Sequence, residues 1–207
     1  MKTVKAKCKL IREMLGTAAA DPEVHEKFIA SKSADKNKIK EEMAALSAAE
    51  LIEKSLTVFP RDEDGDPFIY DYQVRGHIKD FLGGEVEFQD LYIKVGTKEY
   101  KFSKWTYKRL VDNFIFVTPR KIKLRLPEGK DMGLCTRPLR AETQQGPRIA
   151  LATSETIPEG TEFEFEVHCR QPELFDLIPK ALDYGALNGL LQWRNSGKGT
   201  FTWEERS

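Results

Sequence analysis

Pro67-Phe68-Ile69-Tyr70-Asp71-Tyr72-Gln73-Val74-Arg75-Gly76-His77-Ile78-Lys79-Asp80-Phe81-Leu82 changes its period midway, and that change decides the fold. The opening Phe68-Ile69 is a short apolar run of the strand type. From Val74 onward the apolar positions are Val74, Ile78, Phe81 and Leu82, spaced i, i+4, i+7 and i+8, which is one face of a helix. Asp71 stands where an N-cap is expected, and Gly83-Gly84 is a stop. A strand running directly into a helix of about 71–82 is therefore predicted.

Working outward, Lys2, Lys5, Lys7 and Lys9 interleave with Val4, Ala6, Cys8 and Leu10, the period-two pattern of a half-exposed strand over residues 2–13. Helices are predicted over 21–31, opening at Asp21-Pro22, and over 35–55, apolar at Ile39, Met43, Leu46, Ala49 and Ile52. An extended segment at 56–60 leads to the turn Asp62-Glu63-Asp64-Gly65-Asp66. Strands at 86–94 and 99–103 meet at Gly96-Thr97, followed by a short helix at 104–112 and strands at 114–118 and 120–126. An irregular basic stretch runs to 147. Strands at 148–155 and 161–169, a helix at 172–187 and a last strand at 199–204 complete the order.

Strands mixed with helices and returning late in the chain argue for an α+β fold. The order suits a ferredoxin-like, RRM-like β-α-β-β-α-β core with a mixed or antiparallel sheet. The first strand is expected to be central, with the strand after Gly199 in the same sheet. One domain over 1–207 is expected, with a helical insertion near 21–55 and a basic irregular insertion near 127–147.

The C-terminal stretch Gly189-Leu190-Leu191-Gln192-Trp193-Arg194-Asn195-Ser196-Gly197-Lys198-Gly199-Thr200-Phe201 sets glycines around two cations and two small polar residues. Glycine adopts positive φ and lets another group approach the backbone. Successive N–H groups in such a turn form an anion-binding nest, with Arg194 and Lys198 supplying charge. The alternative is a glycine-rich turn whose polar residues serve only as turn formers.

These pieces resemble a family. RAMP proteins, the RNA-binding backbone and guide-processing subunits of CRISPR effector complexes, carry a segment "PFIPGSSLKG" followed by a helix. Pro67-Phe68-Ile69 matches its opening, and Val74-Arg75-Gly76 stands where Leu-Lys-Gly would; Tyr70-Asp71-Tyr72-Gln73 replaces the family's Pro-Gly-Ser-Ser turn. The run from Ile157-Pro158-Glu159-Gly160 to Val167 is similar to the family's strand entry, and Gly189 to Phe201 to its glycine-rich end. Weaker whole-chain similarity is to small bacteriophage proteins.

The resemblance implies a protein that binds single-stranded RNA or a small nucleotide. It would act in the cytoplasm by mimicking a subunit of a host defence complex or by sequestering its guide RNA or nucleotide signal. Self-association side by side is a further implication. The expected ligand site joins Arg75 and Gly76 to Trp193, Arg194, Asn195, Ser196, Gly197 and Lys198 in one anionic groove.

Composition sets wide limits. The chain has 207 residues, is 40% hydrophobic and balances 33 basic against 33 acidic side chains, which suits a globular protein. The sequence has no 18-residue apolar run, so no membrane partner is expected. Cys8, Cys135 and Cys169 are too far apart for a CxxC metal site and suit a reducing compartment. The neutral total hides a bias: Pro119 to Arg148 holds eight cations (Arg120, Lys121, Lys123, Arg125, Lys130, Arg137, Arg140, Arg148) and three acids. Part of this run is explained by alternation alone, with Lys121, Lys123 and Arg125 outward and Ile122, Leu124 and Leu126 inward.

No cofactor is implied, and no metal. Asp62 to Asp66 places its glycine fourth, where a calcium loop needs it sixth, and reads as a solvated turn. His25, His77 and His168 lack zinc spacing. For the competing reading, a metal-independent RNA endonuclease of the guide-processing type, His77 is the candidate base; Asp21 stands near the position of a cleaving aspartate in related backbone subunits, but also reads as a helix cap. Tyr70, Tyr72, Trp105, Tyr107 and Trp193 interleave with cations, as base-stacking platforms do. Of these, Trp193 is expected to be partly exposed.

Overall fold

The computed structural model describes residues 1–19, 56–84, 92–95, 97–103, 105–143 and 146–206. The predicted helices at 21–31 and 35–55, with Asp21, lie outside the described residues. In chain order the elements are β1 (Lys2–Leu10), β2 (Met14–Leu15), β3 (Ala18–Ala19), β4 (Leu56–Val58), β5 (Phe68–Tyr70) and α1 (Asp71–Gly84). Next come β6 (Tyr92–Val95), β7 (Lys98–Lys101), α2 (Tyr107–Phe114), β8 (Ile115–Thr118), β9 (Lys121–Lys123), β10 (Gly133–Thr143) and β11 (Gly146–Ile157). The chain closes with β12 (Glu162–Cys169), α3 (Pro172–Phe175), α4 (Leu177–Asp183) and β13 (Phe201–Glu205).

The main sheet has the order β13-β1-β12-β8, with every neighbouring pair antiparallel. Taking β1, β8, β12 and β13 as first to fourth, the spatial order is fourth, first, third, second. α1 lies between the first two in sequence and α4 between the last two, so the path is the split β-α-β-β-α-β of a ferredoxin-like core. The α+β class, the inner position of β1 and the place of the last strand beside it are as expected.

Alternation fixes which way the sheet faces. Val4, Ala6, Cys8 and Leu10 of β1 and Phe163, Phe165, Val167 and Cys169 of β12 are buried. The helices cover that face with Val74, Ile78, Phe81 and Leu82 of α1, the four residues of the predicted stripe, and with Leu177, Ile178, Ala181 and Leu182 of α4. At the start of α1 the Tyr70 N–H donates to Gln73 Oε1 at 2.8 Å, the return half of a capping box. Asp71, the expected cap, holds Arg120 at 3.0 Å.

The opposite face of the sheet is a charge ladder. Lys5, Lys7 and Lys9 stand directly across from Glu166, Glu164 and Glu162. Lys7 lies 3.2 Å and Lys9 3.8 Å from the Glu162 carboxylate, and Lys7 holds that carboxyl below its usual range. Arg125 and Arg206 both reach Glu164. The basic first strand is thus neutralised by the acidic strand beside it.

The second sheet, β10-β11-β4-β3 with β2 also on β11, corrects the expectation of an irregular basic stretch to 147. Residues Gly133–Thr143 are a long strand paired with β11. Pro138 obscured it in sequence, because proline cannot donate to a ladder. β10 pairs on one side only, and an edge strand accommodates proline.

The helix predicted over 172–187 is broken into α3, α4 and a 3₁₀ turn at Tyr184–Ala186. Pro179 has no N–H to continue a helix from Phe175, and it is tolerated only in the first turn of a new one. Two shorter-than-expected strands have simple boundaries: β1 stops at Leu10, and Pro119 separates β8 from β9, which joins β5 instead of the main sheet. Among the described residues no helix is long and apolar enough to cross a membrane.

Candidate nucleic-acid interface

The glycine-rich turn is built by backbone contacts before any side chain enters. Ile11 N–H donates to Thr200 O at 2.8 Å, Gly199 N–H to Glu13 O at 2.8 Å and Leu190 N–H to Gly199 O at 2.9 Å. The residues after β1 therefore clamp the start of β13. Gly189 and Gly199 face each other so closely that a Cβ on Gly189 would lie 2.2 Å from Gly199 C, and one on Gly199 2.2 Å from Leu190 O. These two glycines are required by mutual packing.

Between them the chain takes the left-handed conformation at Leu191 (φ 66°), Trp193 (φ 57°) and Gly197 (φ 78°). Two side chains in that region are strained. Gln192 pins them: its Nε2 donates to Gly16 O at 2.7 Å and Thr57 Oγ1 at 3.2 Å, and its Oε1 accepts from Arg137 Nη2 at 2.6 Å.

The result is an open cleft of about 1040 Å³. One wall is the turn from Trp193 to Gly197; the other includes Ile11, Arg12, Leu187 and Asn188. Trp193 is 37% exposed, as expected, and its ring carries Arg137 at 5.1 Å and Lys198 at 5.9 Å. Leu187 is 79% exposed at the rim.

The predicted residues divide. Trp193, Arg194, Asn195, Ser196 and Gly197 line the cleft; Lys198, Arg75 and Gly76 do not. Arg194 is paired with Asp80 of α1, and Lys198 with Glu13. The charge the sequence assigned to the turn is thus already matched by carboxylates. Arg75 is half-buried on α1, and Gly76 has open space beside it, so no close approach to its backbone explains that glycine. Of the expected groove, the structure brings residues 193–197 together in this cleft, with Lys198 beside Trp193, and leaves Arg75 and Gly76 outside its lining.

Arg12 is the residue that sequence reading missed. It lines the cleft, sits against Gly197, where an added Cβ would meet its Nη1 at 2.7 Å, and has no ion-pair partner among the described residues. Its only local signal was a cation ending the first alternating run.

His77, the candidate base, is not a surface group. It is 2% exposed, its Nε2 lies 2.9 Å from Ala181 O, and its ring stacks near Tyr184 and Phe201. Burial lowers its pKa from the usual value. The sign follows directly: the folded state disfavours the imidazolium, so stability is constant above the unfolded pKa and falls as pH drops below about 6.5. Below about pH 6.5 the parent is expected to lose stability more steeply than His77→Phe, by at most about 1.4 kcal/mol per pH unit. Chemical denaturation across that range measures it, and equal acid slopes would overturn the assignment.

Asp62, Asp64 and Asp66 converge, with Lys123 Nζ 2.6, 3.6 and 3.6 Å from their carboxylates. An ammonium thus fills the centre of the acidic turn and holds the Asp62 carboxyl below its ordinary range.

The fold and cleft describe an α+β protein with a glycine-rich turn packed beside a ferredoxin-like sheet. No protein-family model matches the chain, and no curated protein matches its sequence. Its fold is similar to a chain in the cryo-electron microscopy structure of the type III-B Cmr-beta bound to cognate target RNA, with a TM-score of 0.52 and 11% identity. The match covers 99% of this chain and 58% of that one, so this protein spans less than two thirds of its neighbour's length.

Proposed function

We propose that this is an RAMP-like protein, CRISPR-related, that binds single-stranded RNA or a nucleotide in the cleft beside Trp193–Gly197 and does not turn it over. One observation carries the reading: the cleft has an arginine without a carboxylate partner among the described residues, and its lining holds no histidine, carboxylate or thiol to move a proton. A guanidinium stays charged at any working pH, so Arg12 binds phosphate and cannot serve as a base. The amide of Asn195 and the hydroxyl of Ser196 add neutral hydrogen-bonding groups, and Trp193 adds an aromatic edge. The likeness in fold to a chain of an RNA-bound complex supports the same reading.

The endonuclease alternative has no support from the position of His77, which is enclosed by α4 and the start of β13. The finer part of the proposal is a viral protein that acts on host defence in the cytoplasm, by subunit mimicry or by holding guide RNA or a nucleotide signal, with self-association on the strand.

Labelled single-stranded RNA incubated with the protein in chelator tests the core of it. A salt-sensitive mobility shift without products is the expected result. Cleavage products would establish the enzyme, and no shift at low salt would remove RNA as the ligand.

A further inference from the structure

A second run of cations lies outside the residues that line the cleft. From Tyr92 to Arg109 the sequence holds six cations (Lys94, Lys98, Lys101, Lys104, Lys108, Arg109) and one carboxylate, Glu99, in a chain whose total charge is zero. Glu99 is engaged by Lys94 at 3.7 Å. Lys98 and Arg109 are exposed and have no acidic partner among the described residues.

Aromatic rings are set among these cations. Tyr92, 47% exposed, stands across the β6–β7 ladder from Lys101, whose Nζ lies 5.9 Å from its ring. Trp105 is 94% exposed, the most open large apolar side chain among the described residues. Lys108 and Arg109 follow Trp105 by three and four positions, the spacing that brings side chains to one side of a helical turn.

This surface is held in place. Thr106 Oγ1 donates to Lys101 O at 2.8 Å and accepts from Ser103 N–H at 3.0 Å, closing the turn that carries Trp105. Tyr107 packs on Gly83 so tightly that an added Cβ there would lie 2.7 Å from its hydroxyl, and Leu110 and Val111 are buried. α2 has therefore spent its apolar residues on the core, and the indole is presented alone among cations.

We propose that this surface, with Trp105 as its stacking platform and Lys98, Lys108 and Arg109 as its phosphate contacts, is a second binding site for single-stranded nucleic acid. Cations on a backbone track with exposed rings between them are what single-strand binding requires. Lysine is depleted from protein–protein interfaces, which argues against a protein partner. A lipid surface needs a helix with an unspent apolar face, and α2 has none. The inference does not depend on the cleft.

The test uses the full chain and a labelled oligouridylate of about 16 nucleotides, the upper single-module site size. Trp105→Ala is expected to weaken binding about tenfold while leaving the slope of log affinity against log salt unchanged. Lys98→Ala/Lys108→Ala/Arg109→Ala is expected to reduce that slope by about 2, near 0.7 for each phosphate released. All four residues are exposed, so both variants should keep the parent's thermal midpoint, which is measured alongside.

Arg12→Ala separates the two sites. If it weakens binding while both surface variants match the parent, this second site is overturned and the cleft stands. If the surface variants weaken binding and Arg12→Ala does not, the cleft falls and the second site stands. A parent that ignores the oligouridylate, or that binds anionic phosphatidylserine vesicles through Trp105 instead, overturns the inference.

Discussion

Gly199→Ala is expected to destabilise the protein by about 2–4 kcal/mol, the largest effect of any single methyl group added to the described glycines of the turn. Two costs combine. Gly199 has φ of +70°, where an alanine loses about 1 kcal/mol to strain. The new methyl would also begin 2.2 Å from Leu190 O and 3.0 Å from Leu190 N, and backbone cannot swing aside as a side chain can. For a chain of this size each kcal/mol moves the thermal midpoint by about 2–4 °C, so a fall of roughly 10 °C is expected. Gly65→Ala is the control: φ is +86° there, but nothing lies within 4 Å of the added Cβ. It should cost only the strain, about 1 kcal/mol. Equal midpoints for the two variants would show that the close approach of residues 189–190 and 199 is not a native contact.

Arg12→Ala is expected to weaken binding of single-stranded RNA roughly tenfold, in keeping with loss of a hydrogen-bonded charge. It should lower the salt slope by about 0.7 for the one phosphate no longer neutralised. Arg194 and Lys198 behave differently, because each already faces a carboxylate. Arg194→Ala leaves Asp80 unmatched beside the cleft and adds repulsion to the loss of a cation. Restoring neutrality with Arg194→Ala/Asp80→Asn should therefore recover part of the affinity. Trp193→Ala should weaken binding through lost stacking with little change in salt slope. Parent-like binding by Arg12→Ala, measured by fluorescence anisotropy across a salt series, would move the ligand out of this cleft.

The readable part of the fold is the part with a sustained period. β1, α1 and β12 repeat their apolar residues over seven or more positions, and the faces of β1 and α1 were legible at once. β2, β3 and β4 are two or three residues long, too short to carry a period. β10 was masked by Pro138 and by its cations, and the broken helix after Cys169 turned on a single proline. For the site, glycines and cations located the turn but not its electrostatics. Asp80 lies 114 positions from Arg194, and Glu13 lies 185 from Lys198. Which cations remain free is settled by such pairings across the fold, and no local spacing encodes them.

The Lys–Glu ladder on the open face of the sheet has a consequence for how a long polyanion meets this protein. Alternating charges a few ångströms apart cancel beyond their own spacing, so that face has almost no reach into the solvent. The cations between Lys98 and Arg109 are of one sign, and their field extends for a Debye length, about 8–10 Å. A polyanion nearby is therefore attracted toward those cations before it meets the ladder. Over the described residues, long-range charge is thus unevenly spread, although the sequence sums to zero.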